Sequence, residues 1–166
     1  MSSSECARAA SAAESRFRID RPIAPARAPR VVALDRGAAG VVRRAAAHHE
    51  WANARFFVCE GLAPGAGDGP IDGLLLRDID GRPAMIDEAL DRADAVFLVA
   101  TEDSGAPCAQ AIGRACFERG VMTAGFVLGD GFEADDAVTA LRPHARVLLP
   151  TAEESDVVEV LTALRA

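Results

Sequence analysis

Short runs of apolar residues alternate with helix-like segments along most of the chain. The runs that start at Val31, Ala95 and Val121 are apolar without alternation, which is typical of strands buried on both faces of a parallel sheet. Each run passes through a turn rich in Gly, Asp or Ser into a segment whose apolar residues have helical spacing. This order predicts right-handed crossovers and a Rossmann-like α/β fold: a doubly wound, mainly parallel sheet with helices on both faces.

The remaining segments complete an alternating order of strands and helices. The predicted strands cover residues 31–34, 55–59, 74–76, 95–100, 121–128 and 145–149. The predicted helices cover residues 41–49, 84–94, 106–119 and 133–141; Pro83 suits the start of the second and Gly120 the end of the third. A last helix has a buried face of Val157, Val158, Leu161 and Leu164, and Thr151 with Glu154 predicts its capping box.

Residues 1–30 differ in composition from the rest of the chain. This segment is rich in Ala, Ser, Arg and Pro, and it lacks the periodicity of a helix or a strand. It predicts a flexible or extended arm, followed by one α/β domain over residues 31–166. The glycine-rich stretch 61–73 looks like a phosphate loop, but an apparent strand follows it instead of a helix, which favours a surface loop.

Composition and charge exclude several classes of function. All 18 cations of the 166-residue chain are Arg, and without Lys or Tyr it cannot supply a phosphate-loop lysine, a Schiff-base lysine or a Tyr–Lys pair. The net charge of −7 argues against nucleic acid as a partner, although residues 1–30 carry about +3. No apolar stretch approaches the ~18–20 residues of a membrane helix, and the N-terminus lacks an apolar signal region. We therefore expect a cytoplasmic protein without a membrane partner.

The four cysteines form no recognisable framework. Cys6, Cys59, Cys108 and Cys116 lack CxxC spacing, and we expect reduced thiols that are mostly buried. Cys108 and Cys116 lie eight residues apart on one predicted helix without a His nearby in sequence, which favours core packing over catalysis. The spacing of His and Cys predicts no metal site.

Polar residues follow the predicted strands where parallel strands end together. In a doubly wound sheet, ligands bind beyond the carboxyl ends of the strands. Asp35 is either a ligand or metal contact or a turn residue that hydrogen-bonds its own loop, and we favour the turn. Glu102, Asp103 and Ser104 form either a cation site or a capped helix start, and we favour the cap. The candidate ligand-binding residues are Asp35, Arg36, Gly37, Gly40, Thr101, Glu102, Asp103, Ser104, Gly105 and Asp130.

The order of these segments resembles the GTP-binding domain of FtsZ, the tubulin-like GTPase of bacterial cell division. Residues 93–100, Ala-Asp-Ala-Val-Phe-Leu-Val-Ala, precede a turn, a helix and strand 121–128, as the family's ADMVF strand precedes a Gly-rich loop, a helix and a strand. Residues 146–150, Arg-Val-Leu-Leu-Pro, are similar to the family's LIVIP strand. Residues 31–58 are similar to its first nucleotide-binding unit. The resemblance spans residues 31–152 and implies the fold of the FtsZ N-terminal domain.

The glycines that carry nucleotide chemistry in that family are mostly missing here. Residues 35–40, Asp-Arg-Gly-Ala-Ala-Gly, stand at the family's first run of glycines, and 101–107, Thr-Glu-Asp-Ser-Gly-Ala-Pro, stand at its GGGTGTG signature. Glycines let backbone N–H groups approach phosphates, and Glu102 and Asp103 would repel a triphosphate. The family's catalytic acid and second domain have no counterpart in the matched segment. We therefore expect poor binding of GTP, no assembly-stimulated hydrolysis and no cofactor.

Two functions fit these observations. The first is a non-catalytic or weakly nucleotide-binding relative of FtsZ that acts as a small cytoplasmic interaction or regulatory protein. The alternative is a small-molecule-binding protein or an enzyme that uses the same crevice for a ligand other than GTP. A dinucleotide-binding protein is disfavoured because GxGxxG is absent after the first strand. Without the family's second domain against the sheet, we expect a homodimer or another protein partner, and no filaments.

Overall fold

The described part of the chain folds into a seven-stranded sheet with helices on both faces. The structure is a computed structural model that describes residues 27–48, 50–62, 73–129 and 134–166. The strands are β1 Pro29–Ala33, β2 Arg55–Leu62, β3 Leu74–Asp78, β4 Pro83–Ala84, β5 Ala95–Ala100, β6 Met122–Leu128 and β7 Val147–Ala152. The helices are α1 Arg36–Ala47, α2 Ile86–Leu90, α3 Ala106–Glu118, α4 Asp135–Leu141 and α5 Glu154–Ala163, and a 3-10 turn, Asp103–Gly105, precedes α3.

Five strands form the parallel part of the sheet, in the order β2-β1-β5-β6-β7. β1 lies between β2 and β5, so that Val31 is level with Phe56 on one side and with Phe97 on the other. The side chains of β1 and β5 are buried on both faces, which explains why the sequence shows no polar alternation there. The prediction of a doubly wound, mainly parallel α/β sheet with β1, β5 and β6 in its interior is confirmed.

The strand predicted at 74–76 is present as β3, but its antiparallel pairing and the short strand β4 were not expected from the sequence. β3 pairs antiparallel with β2, and Pro83–Ala84 pairs with β3 at a position where the sequence predicts the first turn of a long helix. A tight turn causes this, because Gly81 has a positive φ of 87° and Arg82 donates its N–H to the Asp78 carboxylate. The predicted helix 84–94 is therefore reduced to the five residues of α2.

Two hydrophobic clusters cover the two faces of the sheet. On one face, α2, α3 and α4 pack against the sheet around Leu98, Ile112 and Leu141. On the other face, α1 and α5 pack around Val42 and Leu161. Each cluster is continuous from strand to helix, which confirms the prediction that helices bury both faces. None of the described helices is long and apolar enough to cross a membrane.

Strand β1 begins at Pro29, two residues before the predicted start of ordered structure. Arg30, which the sequence places in the basic arm, is buried, and its guanidinium donates to the carbonyls of Ala89 at 2.9 Å and Asp91 at 2.6 Å. Burial, with a smaller contribution from Arg55, lowers the pKa of Arg30 below its ordinary value. The rest of the predicted arm, residues 1–26, lies outside the described residues.

The capping box of the last helix lies two residues after the predicted position. Glu153 accepts the backbone N–H at the third helical position, and the Asp156 carboxylate accepts the N–H of Glu153 at 2.8 Å. Thr151 cannot serve as the cap because β7 continues to Ala152. Glu154 binds the Arg44 guanidinium through two hydrogen bonds of 2.7 and 2.8 Å, which lower the pKa of Glu154 and join α5 to α1.

The expectation of reduced cysteines is wrong for two of them. Cys59 in β2 and Cys108 in α3 form a disulfide across 49 residues of sequence, with Cα atoms 6.5 Å apart. Sequence spacing could not show this pairing, because β2 and the first turn of α3 approach each other only in the folded sheet. Cys116 is a buried free thiol, as expected, and Cys6 lies outside the described residues.

Candidate functional site

The connections of the sheet diverge at the carboxyl end of β1. The chain passes from β1 through α1 to β2 on one side, whereas β5 and its following helix α3 lie on the other side. Two connections that leave a sheet in opposite directions open a crevice between them, which is where doubly wound proteins bind ligands. The turns after β1 and β5 meet at this point and hold six of the ten candidate residues, and three more lie in the first turns of α1.

The carboxylate of Asp35 joins these two turns. Its Oδ1 accepts hydrogen bonds from the backbone N–H of Ala38 at 2.8 Å and from the hydroxyl of Thr101 at 2.6 Å. Its Oδ2 accepts from the backbone N–H groups of Thr101 at 2.7 Å and of Glu102 at 3.2 Å. Asp35 is only 5% exposed, so both oxygens are used inside the protein. Asp35 is thus the N-cap of α1 and also links β1 to the turn after β5.

Two glycines allow this close approach. A Cβ atom on Gly37 would clash with the hydroxyl of Thr101, the group that donates to Asp35. A Cβ atom on Gly105 would lie 2.8 Å from Cβ of Leu34 at the end of β1. Glycine at these positions therefore permits the contact between the two turns.

A cleft of about 520 Å³ opens beside Asp35, above the ends of β1 and β2 and the first turns of α1. We call it the switch-point cleft. Its volume is within the range of small-molecule sites. It is lined by Leu34, Asp35, Arg36, Ala39, Arg43, Val58, Cys59, Glu60, Gly61 and Ser104.

Two of the charged side chains that line the switch-point cleft are arginines exposed to solvent. Arg36 and Arg43 are exposed on α1, and neither forms a salt bridge with another residue in the described part of the chain. Glu60 is paired with Arg77 at 2.8 Å, and Asp35 is occupied as described above. The formal charges of the lining thus balance, two arginines against two carboxylates, but the two arginines are the charged groups of the cleft that face solvent without a salt bridge in the described part of the chain.

The other candidate residues have separate positions. Ser104 lines the cleft and donates to Glu102 at 3.2 Å, whereas the Asp103 carboxylate points to α4 and accepts the N–H of Asp136 at 2.8 Å. Gly40 lies on α1 next to the Arg44 side chain, away from the link between the turns. Asp130 lies outside the described residues.

Seven of the ten residues that line the cleft were not among the candidates, and three of these seven carry polar or reactive side chains. Arg43 lies two helical turns after Asp35, and Cys59 and Glu60 belong to β2. The end of β2 could have been considered, because it neighbours β1 and ends at the same edge of the sheet. The disulfide partner of Cys59 had no signal in the sequence.

The fold and the cleft define a doubly wound α/β protein with a cleft at its topological switch point that presents two exposed arginines. Neither a protein-family model nor a curated protein sequence matches the chain. Among the described residues, no three side chains of His, Cys, Asp or Glu come together as a metal site.

Proposed function

We propose that this protein is a small interaction or regulatory protein that uses a nucleotide-binding type of fold without hydrolysing GTP, as a divergent relative of the FtsZ GTPase domain. The observation that carries the proposal is the carboxylate of Asp35. It accepts hydrogen bonds from three backbone N–H groups, one at the N-terminus of α1 and two after β5. These are the donors that a nucleotide phosphate would require at a switch point of this kind.

The charges around this position also disfavour a triphosphate. Glu102 and Asp103 follow the β5 strand closely and both are exposed, and the backbone N–H of Glu102 is one of the donors to Asp35. A phosphate at the N–H groups of this turn would therefore meet the Asp35 carboxylate and lie close to Glu102. GTP would have to displace an internal hydrogen-bond network in addition to overcoming this repulsion.

Thermal melting with GTP, GDP, ATP and inorganic phosphate tests the proposal. A ligand at about 100 times its Kd stabilises by about 2.7 kcal/mol, which corresponds to a rise in Tm of about 5–10 °C for a chain of this size. We expect no such rise with GTP. A clear rise with GTP alone would contradict the proposal.

An Asp35→Ala variant provides the matched comparison. It removes the internal carboxylate and leaves the three N–H groups unpaired, so that it melts at a lower temperature and recovers part of the loss in phosphate. In the native protein the Asp35 carboxylate already accepts these three N–H groups, so phosphate is not expected to raise its melting temperature. Phosphate that stabilised both proteins equally would show that Asp35 does not occupy an anion position.

The proposed interaction involves an apolar surface away from the cleft. Phe117 is 75% exposed and Met122 is 40% exposed, and both line a second cleft of about 390 Å³ that also contains His144. Exposed apolar groups that lie together mark interaction surfaces. A second copy of the chain is the proposed partner, because self-pairing is the commonest way to cover such a surface.

Light scattering of the full chain tests the dimer. We expect the mass of a dimer for the native protein and a shift toward monomer for Phe117→Ser. Met85→Ser is the control, because Met85 is similarly exposed but lies beside β4, at the opposite edge of the sheet. A strictly monomeric native protein would contradict the dimer.

The second candidate function is binding of a small anion in the switch-point cleft. It is favoured by Arg36 and Arg43, which line a ligand-sized cavity without a salt-bridge partner in the described chain. Melting in a panel of dicarboxylates and sugar phosphates tests it. We expect a ligand from this panel to raise Tm in the native protein and to have no effect on the Arg36→Gln/Arg43→Gln variant.

A further inference from the structure

A groove of about 470 Å³ lies beside the carboxyl end of α1, over the first residues of β2. We call it the Trp51 groove. Six of its seven lining residues are apolar, and five of these six belong to the hydrophobic cluster under α1 and α5 or pack against it. The helix α5, which covers another part of this face, contributes no residue to the groove. The lining consists of Ala46, Ala47, Glu50, Trp51, Ala54, Phe56 and Ile79.

The aromatic wall of the groove is fixed in place. Trp51 donates from Nε1 to the carbonyl of Ala45 at 2.9 Å, and the centre of its ring lies 6.4 Å from that of Phe56. Trp51, Ala54 and Ile79 are half-buried, so the groove presents apolar surface that is only partly covered. Apolar grooves with aromatic walls are surfaces that bind the side chains of extended peptides.

The chain enters the sheet close to this groove. Arg27 donates its N–H to the carbonyl of Leu164 at the end of α5, and β1 begins two residues later. Arg30 in β1 is level with Arg55 in β2, and its guanidinium lies 3.4 Å from the carbonyl of Asn53, in the loop before β2. The groove is therefore within about 20 Å of Arg27, a distance that about six extended residues span.

The sequence before Arg27 contains one segment with the pattern of an extended chain. Residues 16–20, Arg-Phe-Arg-Ile-Asp, alternate charged and apolar side chains, which places Phe17 and Ile19 on one side of an extended backbone. With Ile23 they are the only aromatic or branched aliphatic residues among the first 26 of the chain. Phe17 and Ile19 precede Arg27 by ten and eight residues, which is enough to reach the groove.

We propose that residues 16–23 bind in the Trp51 groove of the same chain, with Phe17 and Ile19 against Trp51 and Phe56. The groove is then a peptide-binding groove whose resident ligand is the protein's own N-terminal segment. The proposal goes beyond the interaction function above and does not depend on it, because it uses the face of the sheet that α1 and α5 cover.

Charge and connectivity support this occupant. Glu50 is the only charged residue in the groove's lining, is exposed, and forms no salt bridge within the described part of the chain. Residues 16–21 carry three arginines and one aspartate, so they bring the opposite charge to Glu50. A segment tethered about 20 Å away is present at an effective concentration of about millimolar, which favours it over a free peptide or a second copy.

Trypsin measures whether the segment is bound. The rate of cleavage after Arg18 in the native, full-length protein is divided by the rate at the same bond in a synthetic peptide of residues 1–26. We expect protection of about tenfold or more, because burial of Phe17 and Ile19 favours the bound form and cleavage follows the open population. The bond after Arg8 lies outside the bound segment and should be cleaved nearly as fast as in the peptide. Equal protection at the two bonds would overturn the proposal.

Substitutions in the groove test where the segment binds and leave the cleaved sequence intact. Ile79→Ser removes part of the apolar lining and is expected to abolish most of the protection after Arg18. Leu75→Ser is the matched control, because Leu75 is 48% exposed on β3 and does not line the groove. Glu50→Gln should lower the protection about two- to threefold. Protection that survives Ile79→Ser unchanged would exclude the groove as the binding site.

Trp51 provides a second readout in variants that leave the described part of the chain unchanged, because it is the only Trp of the protein. In Phe17→Ser/Ile19→Ser we expect its emission to move to longer wavelength and acrylamide to quench it more strongly than in the native protein. Ala12→Ser/Ala13→Ser, upstream of the bound segment, should leave both properties unchanged. If Phe17→Ser/Ile19→Ser also left them unchanged, the proposal would be wrong.

Dilution distinguishes the protein's own segment from that of a second copy. Binding within one chain does not depend on concentration, so the protection after Arg18 should stay constant over about a hundredfold dilution. Loss of protection on dilution would show that the segment is exchanged between copies, and it would contradict the assignment to the same chain.

Discussion

At the scale of single residues, Asp35 has the largest number of connections in the site. It caps α1 through Ala38 and holds the turn after β5 through Thr101 and Glu102. A carboxylate with four donors and 5% exposure is part of the fold's internal hydrogen bonding. Any ligand in the switch-point cleft therefore binds beside Asp35 and has to leave its hydrogen bonds in place.

Replacing Asp35 with Ala is expected to destabilise the protein strongly. The variant loses the helix cap and leaves three N–H groups and one hydroxyl without their acceptor, which costs about 2–4 kcal/mol of the free energy of unfolding. Urea denaturation measures this loss. Asp80→Ala is the control, because Asp80 is exposed in a turn, and a change within about 0.5 kcal/mol is expected there. Equal effects at both positions would show that the network around Asp35 contributes little.

Cys116 predicts a specific dependence of stability on pH. Burial, opposed by a hydrogen bond from Thr123 and by Arg119, raises the pKa of the Cys116 thiol from its ordinary value near 9 to about 11. The unfolded chain thus loses this proton first as pH rises. Stability is full below pH 9, falls by about 3 kcal/mol between pH 9 and about 11, and then levels off.

The composition makes this measurement unusually direct. The chain has no Lys and no Tyr, the residues that otherwise titrate in this range. The urea midpoints of the native protein and of Cys116→Ala are measured from pH 8 to pH 11.5. The difference between them should become smaller as the pH rises, because only the native protein loses the contribution of the Cys116 thiol. A parallel decline in both proteins would assign the effect to another group.

At the scale of elements, the sequence predicted what depends on burial and missed what depends on local turns. β1, β5 and β6 have continuous apolar sequences because both of their faces are covered, and this signal is strong. β4 has two residues, and its pairing with β3 depends on the turn at Gly81, which no periodicity can show. The predicted helix 84–94 is wrong in its first part because the chain leaves the turn at Gly81 as a strand, in which Pro83 and Ala84 pair with β3.

The candidate site was predictable to a similar extent. Parallel strands end at one edge, so the turns at Asp35 and Thr101 could be placed together from their order in the chain. The part formed by β2 could not, because Cys59 finds Cys108 only through packing of α3 on the sheet. The sequence also could not predict the direction in which each side chain points. Asp103, for example, follows β5 closely, yet its carboxylate contacts α4.

Two glycines of these elements should respond to Ala in opposite directions. Gly105→Ala places a Cβ atom 2.8 Å from Cβ of Leu34 and near its backbone, which is expected to cost about 1–3 kcal/mol. Gly40→Ala lies inside α1, where the new Cβ atom meets only the exposed guanidinium of Arg44 at 3.3 Å; that group shifts slightly while it stays paired with Glu154, and the substitution is expected to stabilise by up to about 1 kcal/mol. Urea denaturation of the two variants checks both signs, and destabilisation of both by similar amounts would contradict the close approach as the cause.

At the scale of the whole molecule, the disulfide joins the two sides of the switch point. Cys59 belongs to β2, which follows the helix on one face, and Cys108 belongs to α3, which covers the other face. The bond closes a loop that contains the β2–β3–β4 segment, α2 and β5. The unfolded chain is thus restricted across almost a third of its length, in addition to any effect on the cleft.

Reduction of this bond is expected to lower the free energy of unfolding by about 2–4 kcal/mol, because a loop of this length gives about 4 kcal/mol in the chain-entropy model. Urea denaturation with and without a phosphine reductant measures the loss. The reduced chain exposes more surface when it unfolds, so the slope of the free energy against urea should increase as well. Cys116→Ala should keep the full response to reductant, whereas Cys59→Ala/Cys108→Ala should have none. An unchanged midpoint in the native protein after complete reduction would show that packing of α3 against β2 holds this part of the fold without the bond.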